Sequence, residues 1–471
     1  MKLRFYFILF FLFSGISSYS QVWEWAKQIG GDDHDIGRGI TIDSKGNAYA
    51  MGDFFGVAIA DSVKLKSYGD WDVVFVKYDS LGKIKWVKNA GGAMLDKGNC
   101  ICVDKKDNVF ITGCFFNVAT FEPLKFIAPV NRSAFLVKIN PKNGKALWAA
   151  QVNGTYYQEG TSLTFDNSGN IYVAGNFYDT AYFNRKKITC DSVYNTTDTL
   201  TSKGKSDIFI AKYDSLGMLI WVKRFGGAKN DECNSIACDR NNDIFFTGTF
   251  ENLSYFDNTL LNSNGKQDVF IAKLDKSGNV LWAKQSGGGD EDVAKGIAID
   301  TNSNVFVTGY FSGIALFGTK LLTSRGRADI FLSKYDSIGN LQWTKQAGAE
   351  GWDKANAITM DDSGNVYIAG SYSGKAIFDS TKIASKTNSI DVYIAKYNSV
   401  TGDFKYVIDA GGKGIDEANG IKICKNENIY VTGSFGAFGS MASFGKTTLR
   451  TTFGTNDIFI AKYVLSSKQQ K

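Results

Sequence analysis

Trp282-Ala283-Lys284-Gln285, then Gly287-Gly288 and Asp292, then Gly296-Ile297-Ala298-Ile299-Asp300, then Val305-Phe306-Val307-Thr308-Gly309-Tyr310-Phe311: these residues spell short strands separated by tight turns. A longer connection containing Phe317 and Leu322 follows. Asp329-Ile330-Phe331-Leu332-Ser333-Lys334-Tyr335-Asp336 comes next and leads through Ser337-Ile338-Gly339-Asn340 to Trp343, where the pattern restarts. Four runs of β-branched and aromatic residues bounded by Gly, Asn and Asp predict four strands. The pattern begins at Trp25, Trp86, Trp148, Trp221, Trp282, Trp343 and Tyr406, at spacings of 61, 62, 73, 61, 61 and 63 residues. Strand repeats of this length predict a radial array of small sheets. The expected fold is therefore all-β, a seven-bladed β-propeller of four-stranded antiparallel blades. The last copy ends after residues 457–463 without its aromatic strand, and residues 23–27 form a strand to spare. Pairing the two covers both sheet edges, so the N-terminal strand is expected to complete the last blade.

The turns have a chemical basis. Asp43 to Asn47, Asp166 to Asn170 and Asp361 to Asn365 place a Gly where a hairpin needs positive φ and an Asp or Asn where a side chain can bond the local backbone. The same device recurs at Asp79 to Lys83, Asp214 to Met218 and Asp275 to Asn279. Only one carboxylate recurs before each Gly, whereas calcium loops of the EF-hand kind alternate several. Strands such as residues 207–213 are apolar on both sides, as a blade pressed between two others requires. The recurring Trp is read as packing between blades, since each large ring buries about 150–250 Å².

Residues 1–20 read as a secretory signal peptide, and residues 21–471 as a single propeller. Lys2 and Arg4 precede the apolar run Phe5 to Phe13, and Ser18-Tyr19-Ser20 supplies small residues before Gln21. The apolar run is shorter than the roughly 20 residues a bilayer demands, and no later run is long enough, so no transmembrane anchor is expected. The chain is expected to be secreted, periplasmic or held at the cell surface, and monomeric. Without Lys2 and Arg4 there remain 51 basic and 47 acidic residues, a net charge of +4. These are scattered rather than gathered into a basic stripe, which argues against nucleic-acid binding. The seven Cys do not recur at one repeat position; most are read as small buried hydrophobes, with Cys100 and Cys114 the disulfide pair to test first.

The run Gly-Gly-x-x-x-Asp, then Ile-x-Ile-Asp-x-x-Gly-Asn-x-Tyr-Val-Thr-Gly, then Asp-Ile-Phe-Ile-Ala-Lys-Tyr-Asp resembles the bacterial secreted beta-propeller repeat family called SBBP. That resemblance implies a secreted or surface propeller and names no activity. Repeat 3 departs from it, with Asn153-Gly154 for Gly-Gly and Gln158 for the Asp. Asn140 to Trp148 is also similar to the tryptophan-docking motif of quinoprotein dehydrogenases, although a turn followed by Trp solves one packing problem in every propeller.

Loop length varies on one rim, where repeat 3 carries an insertion around residues 184–206. Variable loops on a rigid scaffold are where binding is usually carried. The repeated motif supplies that rim with Asp35, Asp96, Asp231, Asp292, Asp353 and Asp416, whose regularity points to turn capping. Residues that break the symmetry are better site candidates: Trp71 and Trp352, which are off-repeat, and Tyr156 and Tyr157 beside Gln158. Asp32-Asp33-His34-Asp35 and Asp290-Glu291-Asp292 are read as solvated loop charge, with calcium binding the alternative; no cofactor is otherwise expected. With His34 the only His, any Ser-His-Asp triad would have to use it. No phosphate loop or Gly-x-Ser-x-Gly elbow occurs. A carboxylate pair for glycoside chemistry needs no His. The leading reading is a non-catalytic binding or scaffold module for an extracellular protein or glycan. A carbohydrate-active hydrolase or lyase, or a structural envelope protein, is the alternative.

Overall fold

The computed structural model describes residues 20–185, 188, 197–424, 427–437, 439–451 and 456–466. The proposed leader apart from Ser20, much of the repeat-3 insertion, and Cys190 lie outside these residues. The described chain is an all-β propeller. No helix among the described residues is long and apolar enough to cross a membrane.

The first repeat gives β1 (Ser20–Gly31), β2 (Asp35–Ile42), β3 (Ala48–Phe54), β4 (Val57–Ala60), β5 (Val63–Lys66), β6 (Asp72–Tyr78) and β7 (Ile84–Ala90). β2, β3, β6 and β7 pair antiparallel in that order. Every residue of β3, and every residue of β6 except Lys77, is buried, because both faces are covered by neighbouring sheets. The same four-strand order recurs through the chain. At its end, Glu417–Ile423, Ile429–Phe435 and Asp457–Ser466 supply three strands and β1 lies fourth, paired antiparallel from Ser20↔Ser466 to Ile29↔Ile458.

Four strands per blade undercounts the sheets. The connection between β3 and β6 is a hairpin, β4–β5, and β4 pairs with β1 from Ile29↔Ala60 to Gly31↔Ala58. Leu253–Phe256 with Thr259–Asn262, Ile314–Phe317 with Lys320–Thr323, Lys375–Phe378 with Thr381–Ala384, and Met441–Phe444 with Thr447–Arg450 do likewise, each docking on the aromatic strand that precedes it. Sheets of six strands result. The physical reason is that a blade's outer strand has an open edge, which the following repeat covers. Phe317 and Leu322, read from sequence as lying in a loop, are buried on this hairpin. In repeat 3 the ribbon is longer, pairing Thr180↔Thr201 through Asn184↔Thr197.

Each repeated Trp is clamped beneath the next repeat. A Cβ on Gly82 would lie 2.9 Å from the Trp25 ring, one on Gly144 2.9 Å from Trp86, and one on Gly402 2.9 Å from Trp343. Each of these glycines has φ near +75°, so Gly meets a backbone need and a steric need at once. The indole N–H of Trp25 donates to the Ser80 carbonyl at 3.3 Å, and that of Trp282 to Ser337 at 3.1 Å. Tyr406, the one departure from Trp, precedes the repeat in which β1 lies as fourth strand beside Asp457–Ser466, and among the described residues no hairpin turn joins those two strands. The core consists of clusters between repeats; one joins Phe245 and Ile271 to Val305, Phe311 and Phe331.

The hairpin Asp residues act on their own turns. Asp43 Oδ1 accepts from the Lys45 and Asn47 N–H groups at 3.0 and 2.9 Å, and Asn47 Nδ2 donates to Oδ2 at 2.7 Å. Cys100 faces Thr112 across its hairpin and Cys114 faces Lys97, so Cys100 and Cys114 are not cross-strand partners. The Cys100 thiol lies instead 3.8 Å from Cys102.

Candidate functional site: the channel and its mouth

The first strands of all seven repeats line one central cavity of about 470 Å³. Each carries a β-bulge at the same place, and the extra residue is Arg38, Asn99, Thr161, Asn234, Lys295, Asn356 or Asn419. A bulge re-aims its extra side chain, and all seven of these residues line the channel. Five tie their repeat to the next. Asn99 Nδ2 donates to the Gly160 carbonyl at 2.9 Å, Thr161 Oγ1 to Cys233 at 2.7 Å and Asn234 Nδ2 to Ala294 at 2.8 Å. Asn356 Nδ2 donates to Ala418 at 3.0 Å, and Asn419 Nδ2 to Gly37 at 2.9 Å. Arg38 and Lys295 make no such bond among the described residues.

On the Gly-Gly rim the channel widens into a mouth of about 660 Å³, lined among others by Arg38, Tyr156, Tyr157, Glu159, Tyr178, Glu232 and Lys295. Glu159 is closely held. Arg132 Nη1 lies 3.3 Å away, Asn99 Nδ2 donates at 2.6 Å, and the Tyr157 hydroxyl also donates to it. The Arg132 guanidinium stacks on the Tyr157 ring at 4.5 Å. Burial alone would push the Glu159 carboxyl up, but Arg132, Tyr157 and Asn99 hold it below the usual range. Glu232 differs: burial pushes its carboxyl up, with Lys295 opposing. Burial draws the Lys295 ammonium down, against the pull of Glu232. The opposite end of the channel opens between the hairpin turns, with residues such as Asp43, Asp104, Asp361 and Lys462 around a space of about 800 Å³.

The residues singled out from sequence divide into three groups. Tyr156 and Tyr157 come together at the mouth with Tyr178, their ring centroids 5.9 and 5.7 Å from it. Trp71 is half-buried, its ring stacked on His34 at 6.4 Å. Trp352 is half-buried against Val293, Tyr310 and Ala328, with Lys354 Nζ 4.8 Å over its ring. Neither Trp lines the mouth cavity. The six rim carboxylates are all fully buried. Asp96 accepts from the N–H groups of Gly92 (2.7 Å) and Phe116 (3.1 Å), Asp416 from those of Gly412 (2.7 Å) and Gly436 (3.0 Å), and Asp35, Asp231, Asp292 and Asp353 likewise from their own corners. Of the acidic stretches, Asp290 pairs with Lys266 at 3.6 Å and Glu291 accepts from the Tyr310 hydroxyl at 3.0 Å. Among the described residues no group of three His, Cys, Asp or Glu side chains is placed to hold a metal ion.

Sequence reasoning missed Arg38, Arg132, Glu159, Glu232 and Lys295. Aligning the repeats at the bulge gives Asn four times, Thr161 once and a cation twice, a break in symmetry visible without coordinates.

The beta-propeller repeat SBBP matches residues 24–53, 147–176, 281–310 and 342–371, each match covering an aromatic strand and the two strands after it. An uncharacterized WD repeat-containing protein of Acanthamoeba polyphaga mimivirus is 26% identical over 87% of this chain, and the regulatory protein FlaEY of Caulobacter vibrioides is 26% identical over 38% of it. The matches span 36% and 20% of those proteins' own lengths. Among solved structures, the WD40 propeller domain of Doa1 overlaps with a TM-score of 0.46 at 12% identity, covering 98% of this chain and 99% of that one. The quinohemoprotein alcohol dehydrogenase of Comamonas testosteroni overlaps at 0.47 and 10%, covering 98% and 78%. Nothing about activity follows from overlap of that depth.

Proposed function

We propose that the chain is an exported, monomeric, seven-bladed propeller, closed by its N-terminal strand, that acts as a non-catalytic binding scaffold for an extracellular protein or glycan. One observation carries this: Tyr156, 58% exposed, stands beside Tyr157 and Tyr178 at the channel mouth, in the repeat with the longest rim ribbon. Exposed aromatic rings at a concave, polar-lined mouth suit stacking on a sugar or anchoring a partner side chain. The regular rim Asp residues serve as corner caps in this reading and contribute no contact. Glycan-array and pull-down profiles of the mature chain, repeated with Tyr156→Ala, Trp71→Ala and Trp352→Ala, test it. Loss with Tyr156→Ala supports the mouth; binding untouched by all three substitutions defeats it. The closure is tested by deleting residues 22–27, which should lower the melting temperature sharply; an unchanged melting curve would contradict it.

A second reading has its own support. Glu159 held low and Glu232 pushed up in one mouth give the divergent pair that acid–base glycoside chemistry uses. Polysaccharide turnover abolished by Glu232→Gln would favour a hydrolase or lyase over a scaffold.

A further inference from the structure

The girdle of bulge residues is broken at two positions, and both breaks are cationic. Where five repeats place a short polar side chain that bonds the next repeat, repeats 1 and 5 place Arg38 and Lys295. Two repeats separate them on one side of the channel and three on the other, so they face each other across it. Arg38 uses only Nε, which donates to Asp53 Oδ2 at 2.8 Å. Its terminal N–H fork, four of the five donors of a guanidinium, has no partner among the described residues and lies on the channel wall. Lys295 has no hydrogen bond, and no ion pair within 4.0 Å, among the described residues; it lines both the channel and the mouth.

The nearby carboxylates are mostly committed. Asp53 holds Arg38 Nε and the Gly98 N–H, Glu159 holds Arg132, and Glu291 accepts from Tyr310. Glu232 remains the one competitor for Lys295. Lys295 is a half-buried cation without an ion pair within 4.0 Å among the described residues, partial desolvation of an unpaired charge is costly, and a cavity of about 470 Å³ is large enough for a small ligand.

We propose that Arg38 and Lys295 together form a binding site for a small oxyanion, a carboxylate, phosphate or sulfate group, on the axis of the channel. The planar fork of Arg suits two oxygens of such a group, and Lys adds a point charge from the opposite wall. Both cations also line the mouth at which Tyr156 stands, so the site adjoins the proposed docking surface; Tyr156→Ala leaves both cations in place and separates the two.

The probes are sodium sulfate, sodium phosphate and sodium glucuronate in isothermal titration calorimetry, with sodium chloride at matched ionic strength as control. Glucuronate binding alone would assign the site to an acidic sugar; sulfate or phosphate binding would assign it to a free inorganic anion. The wild-type chain should bind at least one probe saturably. Lys295→Asn should weaken that binding by about ten-fold or more, the loss expected for one charge-assisted contact. The same variant should melt no lower than wild type, because the new amide can reach the Ala355 carbonyl and close the girdle. Arg38→Asn should weaken binding similarly; because it orphans Asp53, Lys295→Asn and Lys295→Gln carry the test if it unfolds. Absence of saturable binding to all three probes up to about 10 mM, or equal affinity in wild type and Lys295→Asn, would overturn the proposal.

Discussion

Two corners of the same rim, built from equivalent residues, are chemically opposite. At the corner of repeat 5, Gly287 has φ of +154° and is flanked by Asp268 and Asp292, both fully buried. A Cβ there would fall 2.5 Å from Asp268 Cγ and 2.9 Å from Asp292 Oδ2. In repeat 3 the three matching residues are Asn153, Ser133 and Gln158. Asn153 is not in the left-handed region, and its Oδ1 accepts from the Ser133 hydroxyl at 3.0 Å and from Gln151. Six corners carry the glycine with two acids and one carries none of the three, which identifies the trio as a coupled unit. Where the acids are gone, the glycine is not needed. The neutral corner also sits beside Arg132 and Glu159, the most densely bonded charges at the mouth.

The largest contrast between the two kinds of corner is their response to pH. Burial pushes the carboxyl of Asp268 up to about 6, those of Asp72, Asp231, Asp292, Asp353, Asp416 and Asp457 to about 7, Asp96 to about 8 and Asp35 to about 9. Within each pair the neighbouring acid adds to the effect, as Asp72 does for Asp96. Acids raised in the folded state bind more protons than in the unfolded chain, so their stabilisation is complete below pH about 4 and is lost as pH rises through the folded values. The melting temperature should therefore fall between pH 5 and 9, and Asp292→Asn, which imitates the protonated acid, should flatten part of that fall. A melting temperature that rises steadily over this range would show the corners ionised and the pairing picture wrong.

Next in size is the steric coupling. Gly287→Asn should cost about 4 kcal/mol, from backbone strain and overpacking together. The same change combined with Asp268→Ser and Asp292→Gln rebuilds the repeat-3 corner, and urea unfolding should show at least half the loss recovered, since residues in contact couple. Strictly additive losses would mean the trio is coincidental.

The charges beside the neutral corner give a smaller effect. Arg132→Met leaves Glu159, with a side chain only 13% exposed, without its cation, and should cost about 3 kcal/mol in urea unfolding. Glu232→Gln, which removes a carboxyl that has no ion pair within 4.0 Å among the described residues, should change stability by less than about 1 kcal/mol. Equal costs would mean that Glu159 is not the anchored member of the two.

The repeat made much of the fold legible. Seven aromatic strands, the turn chemistry of Asp43 and its equivalents, and strands apolar on both faces can all be read directly from residue types. The rim hairpins could not be read, because strands of four residues such as Ile314–Phe317 are too short for alternation to stand out from loop composition. The mouth was half legible: Tyr156 and Tyr157 stood out as departures beside Gln158, but Arg38 and Lys295 hide among 53 basic residues until the bulge brings the repeats into register. Glu159 and Arg132 are 27 residues apart and meet only through the pairing of their strands at Arg132↔Tyr157.

The smallest expected effect on stability is the one most useful for function. Tyr156 makes an edge contact with Tyr178 and is otherwise exposed, so Tyr156→Ala should change unfolding free energy by no more than about 0.5 kcal/mol. Trp352→Ala empties a packed site against Val293 and Tyr310 and should cost about 3 kcal/mol. Lost binding in the Trp352 variant therefore mixes damage to the scaffold with loss of contact, whereas lost binding in the Tyr156 variant at unchanged stability isolates the mouth. Tyr157 is a poorer probe, since its hydroxyl serves Glu159 and its ring carries Arg132. If Tyr156→Ala binds as wild type does while Trp352→Ala fails at equal folded fraction, the contact surface lies over repeats 5 and 6 and the neutral corner is an accident of packing.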